Sequence, residues 1–237
     1  MTRTAAGPPV ELQRVGMCSS AYAWPKYPQR PHVSDELEIE PLIDPAQLVR
    51  AKAAYAKALR AADPLDEPFT PALAHRLVLY STYEPDHDLG QTICAAARSL
   101  DEHFAYLTWT DPLAAGRPFA TTRHWRIALR PRGLPKAPLS DDTGSSAERY
   151  ALYSSRGRWA LVASKGLPCL LGADQAFRAA LTYAAPYIER DVLWVLRDVG
   201  RTGGIATATA SRIDALINQV YGIDEAARLR GLARNIV

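Results

Sequence analysis

From Pro45 to Arg60 the apolar positions Leu48, Tyr55 and Leu59 share one arc of a helical wheel, with Arg50, Lys57 and Arg60 opposite them. That is the spacing of an amphipathic helix. Asp44 is its expected cap, and Pro45 suits the first helical position, where the missing N–H is no loss. Farther on, Arg76 to Tyr83 (RLVLYSTY) is short, apolar and bounded by Pro71 and Pro85, which predicts a strand. Asp88 to His103 predicts a helix with Leu89, Ile93, Ala96, Ala97 and Leu100 as its buried stripe. Phe104 to Thr110 and Thr122 to Leu129 alternate and predict two strands. The second sets Arg123, Trp125, Ile127 and Leu129 against His124, Arg126 and Ala128.

The apolar runs Arg149 to Ser155 and Arg158 to Ser164 predict a hairpin around Arg156-Gly157. Asp174 caps a predicted helix that Pro186 ends. Asp191 to Val199 (DVLWVLRDV) reads as a buried strand by its composition. Ile213, Leu216, Ile217, Val220 and Tyr221 space another amphipathic helix, closed at Gly222, and a last helix starts near Asp224 and ends near Asn235. Arg130 to Ser146, rich in Pro, Gly and small polar residues, is the expected mobile loop.

With the hairpin set aside, the order from residue 76 is β-α-β-β-α-β. The expectation is therefore an α+β fold with a mostly antiparallel sheet of ferredoxin-like order, both helices on one face, followed by C-terminal helices. Residues 1–44 read as a proline-rich extended arm, because WPKYPQRP (Trp24 to Pro31) cannot hold a helix. Residues 45–200 form the expected α+β core and residues 201–237 a helical segment packed on it. The acidic stretch Ser34 to Pro41 can lie against the basic middle of the chain or stay solvated.

Composition adds bounds. With 48% hydrophobic and 22% charged residues in 237, the chain has the makeup of an ordinary globular protein. No run approaches the roughly 18 apolar residues of a spanning helix, and no secretory h-region is present, so the expected compartment is cytoplasmic, with no membrane partner. Cys18, Cys94 and Cys169 are far apart and have no metal or redox spacing; they read as reduced thiols, at least two of them buried.

Charge changes the picture more. Between Arg117 and Lys165 ten basic residues stand against three acidic ones, a net +7 in a chain whose formal charge is +3. The segment interleaves guanidinium groups with rings, as a binder of single-stranded nucleic acid requires: cations for phosphates and flat faces for bases. The expected contacts are Arg123, Trp125, Arg126, Arg130, Arg132, Lys136, Arg156, Arg158, Trp159 and Lys165, with Tyr153 as a further platform. Arg201, in the Gly200-Arg201-Thr202-Gly203-Gly204 turn, adds a phosphate contact at a predicted strand-to-helix junction.

Other motifs carry little. Arg156-Gly157-Arg158-Trp159-Ala160-Leu161-Val162 starts like the RNP1 pattern, but Arg158 takes an aromatic position and Trp159 a small-residue position, so that family is not assigned. Glu84-Pro85-Asp86-His87-Asp88 gathers carboxylates around a histidine, with His75 and His103 nearby, but Asp86 and Asp88 are already explained as capping and dipole-favoured acids at a helix start. No G-x-S-x-G or S-x-x-K motif occurs. The leading expectation is a non-catalytic subunit of a (ribo)nucleoprotein or of a phage or mobile-element complex. Its partners would be RNA or single-stranded DNA and other protein subunits, with no cofactor and no metal. The alternatives are an adaptor acting through protein–protein contacts, and a phosphate-ester enzyme.

Overall fold

The computed structural model describes residues 39–61, 63–82, 87–109, 123–134, 149–200 and 207–236. Strand β1 (Ile39–Pro41) leads into helix α1 (Pro45–Ala58), β2 (His75–Thr82), α2 (His87–Ser99), β3 (Phe104–Trp109) and β4 (His124–Ala128). Then come β5 (Arg149–Ser154), β6 (Trp159–Ser164), β7 (Pro168–Ala173) and α3 (Gln175–Ala184). A 3-10 turn at Ile188–Arg190 precedes α4 (Asp191–Gly200), α5 (Thr207–Tyr221) and α6 (Ile223–Ala233).

Local chemistry accounts for the helix starts. Asp44 accepts from the amide of Ala46 with Pro45 in the first turn, and Asp174 accepts from the amide of Phe177.

The strands make one seven-stranded sheet in the order β1-β4-β3-β5-β6-β7-β2, with antiparallel neighbours throughout. The α+β class therefore stands and the ferredoxin-like order does not. Two elements break that order. Pro168–Ala173 is a strand, entered through the turn at Lys165-Gly166, where Gly166 takes a φ of 78°. Asp191–Gly200 is a helix, not a buried strand: Val192, Val195 and Leu196 are buried at i, i+3 and i+4, while Trp194 turns outward. A run rich in valine has strand composition, but here its apolar residues have helical spacing.

Helices cover both faces of the sheet, where the ferredoxin-like expectation put them on one. Val78, Tyr106, Tyr153, Val162 and Leu170 face α1, α4, α5 and α6, and Leu79, Leu107, Leu152, Leu161 and Leu171 face α2 and α3. Strands β6 and β7 are consequently buried at every residue, and their sequences run apolar without alternation. Cys94 and Cys169 are both buried. No helix among the described residues is long and apolar enough to cross a membrane.

Both sheet edges are blunted. β1 has three residues and ends on Pro41, which has no N–H to offer. On β2 the amides of Val78 and Tyr80 donate to the Tyr221 phenol oxygen at 3.1 Å and to the Asp191 carboxylate at 3.4 Å.

Candidate functional site

Among the described residues, the basic side chains between Arg123 and Lys165 do not converge. β5 and β6 are hairpin partners, with Arg149 opposite Ser164 at one end of the pair and Tyr153 opposite Ala160 near the other. Arg149 and Lys165 therefore sit at one end of the sheet, and Arg156 and Arg158 at the opposite end, about 20 Å away at the usual rise per strand residue.

Several of these cations are already matched to acids. Arg126 reaches Glu40 of β1 at 3.3 Å and lies over the ring of Phe104. Part of the acidic stretch thus does lie against the basic segment. Arg149 holds Asp63 at 2.7 Å, and Arg156 holds Asp101 at 3.3 Å. Arg130 and Arg132 are exposed around the turn after β4, Arg158 is half-buried and Lys165 is exposed in the turn after β6. Lys136 and Arg201 lie outside the described residues, as does Glu84-Pro85-Asp86.

The rings expected to stack on bases are mostly interior. Trp159 is 0% exposed and stacks on Phe177, with centroids 5.2 Å apart; Tyr150 and Tyr153 are equally enclosed. The reason is that β5 and β6 lie near the centre of a sheet covered on both faces. Trp159 serves a buried acid instead. Its Nε1 donates to Glu102 at 3.3 Å, and Ser154 Oγ donates to the same carboxylate at 2.7 Å. Burial nevertheless raises the Glu102 pKa above the ordinary carboxylate value, more than those bonds and the charges of Arg156 and Arg158 lower it.

A second sealed polar group joins Thr108 Oγ1 to His124 Nδ1 and to the Tyr153 hydroxyl, each at 3.0 Å. Arg123 and Trp125, two of the expected contacts, meet at Trp109, a ring outside the expected set. Half-buried Trp125 packs 5.2 Å from Trp109, and the Arg123 guanidinium lies 4.6 Å over the Trp109 ring. His103 pairs with Asp101, and His75 lies beside Arg178, so those histidines serve separate places. Among the described residues no group of three or more His, Cys, Asp or Glu is placed to hold a metal ion.

Exposed rings stand elsewhere, on β2, α3 and α4 and beside the 3-10 turn. Tyr183 at the end of α3 is 92% exposed and Tyr187 60% exposed, with the Arg190 guanidinium 5.2 Å over the Tyr187 ring. On the next helix Arg197 lies 4.3 Å over the outward ring of Trp194. Tyr80 of β2 donates its hydroxyl to Asp198, a bond that raises the Tyr80 pKa.

A groove of about 620 Å³ is bordered by His75 and Arg76 of β2, Arg178 of α3, Glu189 and Arg190 of the 3-10 turn, and α6. Its apolar lining includes Leu77, Val192, Leu193, Leu229 and Leu232. Arg178 pairs with Glu189 at 2.7 Å and brings Nη1 to 3.3 Å from His75 Nδ1. A guanidinium has no acceptor, so Nδ1 accepts and a neutral ring carries its proton on Nε2. Arg228 pairs with Glu225 across one helical turn.

No family model, curated protein or solved structure matches this chain. Its chemistry is therefore argued from the groove and the rings beside it. The groove's lining combines Arg76, Arg178, Arg190 and Arg228 with Glu189 and Glu225, and the two anions are paired with Arg178 and Arg228. None of these residues belongs to the basic segment, which is why a count of charge along the chain does not find them.

Proposed function

We propose that the chain is a non-catalytic adaptor that docks a partner protein on the face along β2. The single observation that carries this reading is the exposure of Tyr183, Tyr187 and Trp194, the last two each beneath an arginine guanidinium. Tyr, Trp and Arg are the residues enriched at protein interfaces and at their energetic hot spots. A polynucleotide site needs an uncompensated positive track, because phosphate neutralisation and counterion release dominate its affinity. Of the four arginines that line the groove, Arg178 and Arg228 are already paired with Glu189 and Glu225, which interrupts such a track.

A second reading, binding of single-stranded RNA or DNA, rests on the Arg123–Trp109–Trp125 cluster at the opposite side of the sheet. Cross-linking separates the two. A photoreactive phenylalanine analogue placed at Tyr187 and, in a second chain, at Trp125 is activated in cells, and the adducts are typed by nuclease and protease sensitivity. The adaptor reading expects protein adducts from position 187. Nucleic-acid adducts from position 125, with none from 187, would replace it by the second reading.

A further inference from the structure

We infer that the groove beside β2 receives an acidic side chain of the partner segment on Arg76, with that segment's apolar neighbours lying on Leu193, Leu229 and Leu232. This rests on the docking reading above and adds the chemistry of the occupant.

The argument starts from the groove's own charges. Arg178 and Arg228 are taken by Glu189 and Glu225. Arg76 and Arg190 line the same groove, and among the described residues no carboxylate is paired with either. Arg190 lies over the Tyr187 ring, which leaves Arg76 as the groove's cation for an incoming acid. A carboxylate is the acceptor whose two oxygens fit a guanidinium fork. The walls near Arg76 are leucines and valines, which weaken screening and strengthen such a pair.

The same geometry excludes one other mode of docking. An added β-strand finds the outward amides of Val78 and Tyr80 already bonded to Tyr221 and Asp191. Docking is therefore through side chains, by a segment in which acidic and apolar residues alternate.

The test uses the full chain and fluorescence anisotropy with three probes: a short capped peptide of alternating glutamate and leucine, the same peptide with glutamine for glutamate, and a single-stranded oligothymidylate. The expected result is saturable binding of the glutamate peptide, at least about tenfold weaker for the glutamine peptide and for Arg76→Gln. Arg76→Lys, which keeps the charge and loses the fork, falls between them. Thermal unfolding of each variant verifies that the fold is retained. The inference is overturned if the glutamate peptide does not bind, if the glutamine peptide or Arg76→Gln binds equally well, or if the oligonucleotide binds more tightly and loses affinity in Arg76→Gln. A cellular partner that depends on Tyr187 and not on Arg76 would sink this inference and leave the docking reading standing.

Discussion

The amide of Val78 donates to the phenol oxygen of Tyr221 across 3.1 Å, joining positions 143 residues apart. The bond closes the outer side of edge strand β2 with a side chain of α5, so the C-terminal helices and the sheet are locked at the point where a foreign strand would otherwise add. Tyr221→Phe keeps the ring and leaves the edge amide without its acceptor. The expected cost is about 1–3 kcal/mol, read from urea unfolding.

The same phenol predicts an alkaline signature. Burial pushes its pKa up to about 12, against an ordinary 10.0. A group whose folded pKa is raised contributes its stability fully below the unfolded value and loses it as pH climbs through the folded one. Wild-type stability should therefore fall between pH 10 and 12, and that part of the fall should be missing in Tyr221→Phe. Equal profiles for the two proteins would contradict the assignment.

Glu102 predicts the opposite end of the scale. Its carboxyl sits beneath Ser154 and Trp159, and burial raises its pKa above 4.5. Its contribution is complete below pH 4.5 and is lost as pH rises through the folded value, so at neutral pH the ionised form is held at a cost. Glu102→Gln keeps an acceptor for the Trp159 indole and removes the charge. Chemical denaturation at neutral pH should find the variant at least as stable as wild type, with the difference shrinking toward pH 4. A variant that is less stable at neutral pH, by the same amount at pH 4, would refute this.

Gly172 on β7 marks where α1's following loop presses on the sheet. A Cβ built there would lie 2.6 Å from the ring of Phe69, which is itself 1% exposed. Gly172→Ala should cost about 1–3 kcal/mol through overpacking. Phe69→Leu in the same chain should return part of that loss, a coupling that a double-mutant cycle measures.

What the sequence makes legible is local. Asp44 with Pro45, Asp174 and the alternation of residues 104–109 each report on neighbours within one turn or strand, and each stands where expected. β7 escapes because both of its faces are covered, which erases the period-two signal; the turn at Lys165-Gly166 is the cue that points to it. α4 escapes because valine composition outweighs its helical spacing. The groove beside β2 is not readable at all from position along the chain: His75, Arg178, Tyr221 and Arg228 come from four separate elements. The basic segment misleads for the converse reason, since an antiparallel strand carries neighbours such as Arg158 and Lys165 to opposite ends of the sheet.

The central claim is that the face along β2 holds a protein. Its most direct measurement is affinity isolation of the full chain from its own cells with nuclease throughout, comparing wild type with Tyr187→Asp/Trp194→Asp and with Arg130→Ala/Arg132→Ala. The account predicts a stoichiometric protein partner that survives nuclease, is lost with the first pair of substitutions and is kept with the second. Partners that vanish with nuclease, or that ignore Tyr187 and Trp194 and depend on Arg130 and Arg132, would contradict it.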